Sequence, residues 1–171
     1  MKEPKPIRPL QILHDMANQK ARQKYIDAGV DPDYSAPKKF KVNNANSLTK
    51  AIKTFLILSG HQCERISTTG RVIDERQTYT DVLGHLKQIG RMRYIPGTVT
   101  RGSADLSSII RRPGEKYGIS VKIEVKWNKD RISSDQKIYC EAVEKAGGVY
   151  IIAKDFDSFH QWYTDFMASG Q

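Results

Sequence analysis

Cysteine, long apolar runs and common nucleotide-binding motifs are scarce or missing in this chain of 171 residues. Its two cysteines, Cys63 and Cys140, show no metal-ligand spacing and predict no disulfide framework. The longest aliphatic and aromatic runs, residues 55–58 and 149–153, are too short to span a bilayer. Neither a Walker-type phosphate loop nor a GxGxxG motif is present. The first ten residues lack an apolar block of the signal-peptide kind, so we expect a cytoplasmic protein without a membrane span.

Acidic residues are also few, which gives the chain its strongest compositional signal. It has 28 Lys and Arg against 19 Asp and Glu, a formal net charge of +9. Such an excess favours a polyanionic partner, with nucleic acid first and an anionic membrane surface second. A length of 171 residues suits one domain with an appendage, and a hydrophobic share of 39% indicates a folded rather than a disordered chain.

Residues 1–43 form the first of two predicted regions, a basic N-terminal helical arm and linker. Apolar residues at helical spacing predict a helix from Leu10 to Ala28, with lysines and arginines between them. The proline-containing segments 31–33 and 36–39 are typical of a linker. Two interpretations are open here: a basic arm, or a helix packed on the flank of the domain.

Residues 44–171 have the pattern of a single α/β domain. A helix capped by Ser47 comes first, followed by strands over residues 62–68, about 104–110 and 118–126. A helix from Ser133 or Ser134 to Ala146, a strand over 149–153 and a last amphipathic helix follow. The core order is therefore helix, strand, strand, strand, helix, strand. Residues 71–90 predict a short helix or ordered loop, and residues 91–101 a small hairpin around Pro96 and Gly97.

Two carboxylates and a lysine carry the chemistry of this pattern. Asp105 starts one predicted strand, while Glu124 and Lys126 share one face of the next, because strand side chains alternate. A tight hairpin would bring Asp105 close to Glu124, and two facing carboxylates need a cation. Oxygen ligands without His or Cys suit Mg²⁺ or Mn²⁺. Such a set hydrolyses phosphodiesters, with Lys126 either stabilising the transition state or helping to deprotonate a water. The plainer alternative is the solvated face of an antiparallel sheet.

Four motifs in order resemble VRR-NUC-type nucleases of the PD-(D/E)XK superfamily, which includes Holliday-junction resolvases and restriction-type endonucleases. The resemblance is strongest over residues 100–165, plausible from about 44, and does not cover the N-terminal region. It implies a restriction-endonuclease-like core, with a central mixed sheet flanked by helices and extra helices at both ends. The matching segments are Gly102-Ser103-Ala104-Asp105, Ile123-Glu124-Val125-Lys126, Ser134-Asp135-Gln136 and Ala146-Gly147-Gly148-Val149-Tyr150-Ile151-Ile152-Ala153.

The resemblance also implies roles for single residues. Asp105 and Glu124 would bind the divalent metal, with the backbone carbonyl of Val125 as a further ligand. Lys126 would be the catalytic lysine, and Gln136 would line the site. The family often places a glutamate on the first core helix, but residues 43–50 contain none. This departure predicts weaker metal binding or catalysis with one metal. Polar residues stand there instead: Asn44, Asn46 and Ser47.

Basic residues near the predicted site favour a nucleic-acid partner. No acidic residue occurs between Val82 and Ala104, and this segment could follow a phosphate backbone or form a solvated surface hairpin. The stretch 71–100 is longer than in compact family members, so we expect it to carry substrate selection. The candidate DNA-binding residues are Lys87, Arg91, Arg93 and Arg101, with Arg65 and Arg71 as weaker ones.

The leading interpretation is a Mg²⁺-dependent nuclease that hydrolyses DNA, with branched or structured DNA of recombination and repair among its expected substrates. The alternative is a catalytically inactive nucleic-acid-binding module on the same fold. A resolvase that cuts both strands of a junction needs two sites and hence a homodimer, whereas a nicking or flap-cutting enzyme works as a monomer. By association with the family, we expect a phage or mobile-element setting: the nucleoid or the cytoplasm of an infected host.

Overall fold

The computed structural model describes residues 7–67, 70–95, 97 and 100–169. Within them the α-helices are α1 (Pro9–Asp27), α2 (Ala45–Leu58), α3 (Ser134–Lys145) and α4 (Phe156–Ala168), and a 3₁₀ helix covers Pro32–Tyr34. The strands are β1 (Gln62–Arg65), β2 (Arg71–Asp74), β3 (Gln77–Thr80), β4 (Leu86–Ile89), β5 (Met92–Ile95), β6 (Leu106–Ile110), β7 (Ile119–Val125) and β8 (Val149–Ala153). No helix in these described ranges is long and apolar enough to cross a membrane.

A four-stranded mixed sheet forms the centre of the molecule, in the order β1-β6-β7-β8. Strand β6 is antiparallel to both β1 and β7, whereas β8 runs parallel to β7. Parallel neighbours need a crossover connection, and α3 supplies it. The prediction of an α/β fold with a central mixed sheet, flanking helices and extra terminal helices is confirmed.

The core lies between this sheet and helices α1, α2 and α4. Leu48, Ile52 and Leu56 recur at helical spacing on α2 and are fully buried, as are the inward side chains of β6 and β7. Leu13 of α1 belongs to the same cluster, so α1 packs on the flank of the domain. The structure thus shows the second of the two interpretations of the N-terminal helix for the residues it describes.

Helix α2 begins earlier than predicted. Its cap is Asn44, whose Oδ1 accepts a hydrogen bond from the Ser47 backbone N–H at 2.8 Å. Ser47 sits three residues later, and its Oγ accepts from the Asn44 N–H at 3.0 Å. The prediction that Ser47 caps the helix was wrong because Ser47 is the reciprocal member of a capping box.

A long two-stranded hairpin, residues 70–95, leaves the sheet between β1 and β6, and we call it the β-arm. Strand β2 pairs with β5 and β3 pairs with β4, in one continuous antiparallel register. The prediction of a short helix or loop over 71–90 was therefore wrong. The strand over 92–95 pairs with β2. Residues 96, 98 and 99 of the predicted 91–101 hairpin lie outside the described residues. Strand β1 ends at Arg65, before the predicted end at residue 68, and residues 68 and 69 also lie outside the described residues.

Candidate active site

The register of β6 and β7 places the two predicted carboxylates opposite each other. The ladder ends at the pair Leu106 and Ile123, and one residue further Asp105 faces Glu124. Asp105 is fixed there by two hydrogen bonds. Its Oδ2 accepts from the Val125 N–H at 2.9 Å, and its carbonyl accepts from the Ile66 N–H at 2.8 Å. The loop before β6 is thereby tied to both of its neighbouring strands.

Glu124 lies at the centre of a buried polar cluster. Its Oε1 accepts from Lys126 Nζ at 2.9 Å and from Gln136 Nε2 at 2.5 Å. Glu124 and Lys126 are only 4% and 6% exposed, so both charges lie almost completely out of water. Asp130 Oδ2 lies 3.6 Å from the same ammonium. The structure thus brings together all four residues predicted to be catalytic: Asp105, Glu124, Lys126 and Gln136.

Helix α3 holds Gln136 in place through its own cap. The Ser133 Oγ accepts from the Gln136 N–H at 3.2 Å, and the Gln136 Oε1 accepts from the Ser133 N–H at 3.0 Å. This capping box uses the side-chain carbonyl of Gln136 and leaves its NH₂ group to donate to Glu124. Gln136 therefore stabilises the start of α3 through its side-chain carbonyl and orients the buried Glu124 carboxylate through its NH₂ group.

Burial dominates the electrostatics of Glu124. Removal from water raises the pKa of its carboxyl group, and the negative charge of Asp105 raises it further. The hydrogen bonds from Lys126 and Gln136 act in the opposite direction but do not cancel the effect of burial. A second cation between the two carboxylates would relieve the remaining cost of the buried charge.

The donor set fits a hard divalent cation. The Val125 N–H points toward Asp105, so its carbonyl lies on the same edge of β7, where Asp105 and Glu124 also meet. Among the described residues, no group of three or more His, Cys, Asp or Glu side chains is arranged for a metal. Two carboxylates and a carbonyl still suit Mg²⁺, which usually keeps several waters and takes phosphate oxygens as further ligands.

The polar residues at the start of α2 are engaged elsewhere. Asn44 and Ser47 make the capping box, and Asn46 Oδ1 accepts from Arg65 Nη2 at 2.8 Å. Arg65 ends β1, directly beside the Ile66 contact to Asp105. This predicted DNA-binding residue is therefore near the carboxylates, at the same edge of the sheet.

The remaining predicted DNA-binding residues divide into two groups. Lys87 Nζ lies 2.9 Å from Asp81 Oδ2, and Arg93 Nη2 lies 3.0 Å from Glu75 Oε1. The segment after Val82 lacks acidic residues in sequence, but the facing strand and the turn supply them. Arg71, Arg91 and Arg101 are exposed. Two basic residues that the sequence reasoning missed, Lys129 and Arg131, lie exposed in the loop between β7 and α3.

Tyr150 is a further residue that the sequence reasoning did not single out. It pairs with Lys122 across the β7–β8 register and is buried on the Glu124 side of the sheet. Its hydroxyl is buried and has no hydrogen-bond partner in the described part of the chain. Burial raises the pKa of this phenol, and the charge of Glu124 adds to the effect. The alternation of Val149, Tyr150 and Ile151 was the only available signal.

Gly102 lets the chain pass close to helix α3. Its φ is +77°, and a Cβ added there would lie 2.2 Å from the Asp135 carbonyl oxygen. Only glycine adopts this positive φ without strain and also leaves room for the Asp135 backbone, which any Cβ would strike. The close approach joins the turn before Asp105 to the first turn of α3, which carries Gln136.

A groove of about 650 Å³ lies at the other end of the sheet, lined by residues 59–61, 111–115 and 167. It contacts none of the predicted site residues, which lie together in the carboxylate cluster. No protein-family model, curated protein or solved structure matches the chain.

Proposed function

We propose that this protein is a Mg²⁺- or Mn²⁺-dependent nuclease of the PD-(D/E)XK superfamily, of the VRR-NUC type, that hydrolyses DNA phosphodiester bonds. One observation carries the proposal: Asp105 and Glu124 face each other where β6 and β7 diverge, with Lys126 Nζ 2.9 Å from Glu124. A solvated sheet face would not bury a carboxylate and an ammonium together, since each buried charge costs several kcal/mol.

The arrangement of elements supports the same assignment. Helix α2, strands β1, β6 and β7, helix α3 and strand β8 follow one another in the order expected of a restriction-endonuclease-like core. The β-arm is an insertion in this order, between β1 and β6. The acid, the Glu-x-Lys pair and the glutamine come from three consecutive core elements and meet at one edge of the sheet.

Each side chain would then have a separate task. Asp105, Glu124 and the Val125 carbonyl would hold the cation, which supplies Lewis-acid stabilisation and a water of lowered pKa. Lys126 Nζ donates to the Glu124 carboxylate at 2.9 Å, so this amine is held beside the residues that would bind the cation. This geometry supports stabilisation of negative charge on the phosphate over removal of a proton from water. Gln136 would fix the rotamer of Glu124.

DNA is the substrate that the surrounding charge fits. Arg65 and Arg101 flank the Asp105 loop, and Lys129 and Arg131 follow Lys126. Cations on both sides of the carboxylates would hold the phosphates that neighbour the cut, offsetting repulsion from Asp105 and Glu124.

An inactive nucleic-acid-binding module is the second candidate. It is favoured by the start of α2, where Asn44, Asn46 and Ser47 make hydrogen bonds in place of a third carboxylate. Under this second hypothesis, the Glu124–Lys126 ion pair would stabilise the fold without taking part in catalysis.

Cleavage of labelled DNA separates the two candidates. The panel contains single-stranded, duplex, flap and four-way-junction DNA, each with Mg²⁺, Mn²⁺ or EDTA. We expect metal-dependent cleavage by the native protein, loss of cleavage in Glu124→Gln, and normal cleavage in the control Glu144→Gln, at an exposed position of α3. Binding without cleavage under every condition would establish the inactive module. Symmetric cutting of the junction, together with a dimer by light scattering, would support a resolvase.

A further inference from the structure

The β-arm exposes more apolar surface than a solvated hairpin needs. Its side chains make few contacts with the rest of the molecule, and both strand pairs are exposed along almost their whole length. Exposed apolar surface of this extent marks an interaction site. The large exposed apolar residues of the arm are Val72, Tyr79, Val82, Leu83, Leu86, Ile89, Met92 and Tyr94.

The tip of the arm is an ordered turn that presents two apolar side chains. Asp81 Oδ1 accepts from the backbone N–H groups of Leu83 and His85, both at 2.9 Å, and its carboxylate also pairs with Lys87. Val82 is fully exposed and Leu83 is 76% exposed. A turn tied together by a partly buried carboxylate holds these two side chains outward.

Most apolar residues of the two strands face a polar or charged residue, while Met92 faces Asp74 and Val72 faces Tyr94. Ile95 faces Arg71, Ile73 faces Arg93, and Tyr79 faces Lys87. Toward the tip, Ile89 faces Gln77 and Leu86 faces Thr80. Apart from Val72 and Tyr94, each of these cross-strand pairs sets an apolar side chain beside a charged or polar one.

This mixture of apolar and polar residues argues against a second copy of the chain as the partner. The centre of a stable dimer interface is apolar and poor in charge, whereas the arm carries five Lys and Arg against three Asp and Glu. Two chains of net charge +9 would also repel each other. Exposed cations such as Arg71 and Arg91, beside aliphatic and aromatic groups, suit a polyanion whose bases present flat aromatic faces.

The arm is rooted beside the candidate active site. It leaves the sheet after β1, where Arg65 lies, and returns through Gly102, which packs against the first turn of α3. The ten residues from Arg71 to Thr80 span roughly 33 Å if extended. That distance matches the rise of about ten base pairs of duplex DNA.

We propose that the β-arm binds along duplex DNA and inserts Val82 and Leu83 at a disrupted base step about ten base pairs from the cut. The inference rests on the proposed function, because it takes DNA as the substrate, and it names the substrate class: duplex DNA with an unpaired or distorted step. Apolar wedges of this kind unstack bases at a cost of a few kcal/mol per step, which is smaller where pairing is already broken.

Anisotropy measured in EDTA tests the arm without requiring catalysis. The probes are two duplexes of about 30 base pairs, longer than the reach of the arm, one fully paired and one with a central mismatch. We expect the native protein to bind the mismatched duplex more tightly. A Val82→Ser/Leu83→Ser variant should lose this preference by about fivefold or more, while its binding to the paired duplex changes less than about twofold. The control is Tyr34→Ser, an equally exposed residue outside the arm.

The outcomes separate the arm from the catalytic proposal. An unchanged mismatch preference in the tip variant, or no DNA binding by the native protein, would overturn the arm proposal. A native dimer that becomes a monomer in the tip variant, by light scattering, would assign the arm to a second copy and overturn it as well. Failure to cleave with Mg²⁺, while the tip-dependent preference persists, would remove the nuclease and leave the arm. Circular dichroism of each variant checks folding, since all three substituted side chains are exposed.

Discussion

The Lys126 ammonium and the Glu124 carboxylate, 2.9 Å apart, form a buried ion pair at the end of β7. The two residues are separated by one position on a strand, so their side chains lie on the same face. Strand alternation places the two side chains next to each other, and Gln136 of α3 donates to the Glu124 carboxylate. What remains distinctive is that a third charge, Asp105, lies opposite the pair with no cation of its own among the described side chains.

The ion pair predicts strong coupling between its members. Glu124→Gln and Lys126→Met should each destabilise the fold by about 3 kcal/mol, because each leaves one buried charge without its partner. The double variant should be less destabilised than the sum, by about 1–3 kcal/mol. Urea unfolding of the four proteins measures this coupling. Additive effects would mean that the two charges do not meet in solution.

The unpartnered Tyr150 hydroxyl predicts that its removal will not reduce the stability of the protein. Its buried oxygen has no partner in the described structure, so Tyr150→Phe should leave stability unchanged or raise it by about 1 kcal/mol in metal-free buffer. Tyr163→Phe is the matched control. That hydroxyl lies 2.9 Å from His61 Nε2, so its loss should cost about 1 kcal/mol. Thermal unfolding in EDTA compares them, and a clear loss of stability in Tyr150→Phe would show that its hydroxyl has a partner.

Gly102 predicts a contrast between two glycines of similar backbone conformation. Gly102→Ala should cost about 2–4 kcal/mol and reduce DNA cleavage, because the added Cβ displaces the first turn of α3 and Gln136. Gly114 has φ +79° but open space around it, so Gly114→Ala pays only for backbone strain, about 1–2 kcal/mol. Equal effects of the two substitutions on cleavage would show that the close approach of Gly102 to α3 does not position Gln136.

Two histidines in the α2–α4 region predict sensitivity to acid. Burial lowers the pKa of both His61 and His160, and the positive charge of Arg111 lowers that of His61 further. The unfolded chain, with histidine pKa values near 6.5, then binds protons more readily than the folded chain, so stability falls as pH drops below about 6.5. A His61→Asn/His160→Asn variant should show a smaller fall between about pH 6.5 and 5. An unchanged pH dependence of chemical unfolding would refute this assignment.

Much of the core could be predicted because its helices and strands are marked by residues close together in the sequence, such as caps, glycines and apolar runs. The apolar run over 149–153 is bounded by Gly147 and Gly148, and it forms β8 as predicted. The sequence predicts that Asp155 or Asp157 opens the helix after it, and the structure shows Asp155 as the cap, whose side chain accepts from the Ser158 N–H. The position of Asp105 relative to Glu124 followed from strand alternation and a short hairpin.

The β-arm could not be predicted because its strands are defined by pairing between residues that lie far apart in the sequence. Alternating apolar residues are few in 71–95, and most apolar residues there face a polar or charged one on the other strand, with Val72 opposite Tyr94 as the exception among the paired residues. The ion pairs of Lys87 and Arg93 depend on the same register and were missed for the same reason. The cap of α2 was misplaced because Asn44 and Ser47 are both good capping residues, and only geometry distinguishes cap from reciprocal partner.

Direct binding of Mn²⁺ tests the central claim, that Asp105 and Glu124 together hold a divalent cation. Calorimetric titration of the native protein should show Mn²⁺ binding, and Mg²⁺ should compete for it. Asp105→Asn keeps the shape of the side chain but removes one charge, and it should abolish this binding, whereas Asp165→Asn, at an exposed position of α4, should not. Equal Mn²⁺ binding by the native protein and Asp105→Asn, or none by the native protein, would contradict the account.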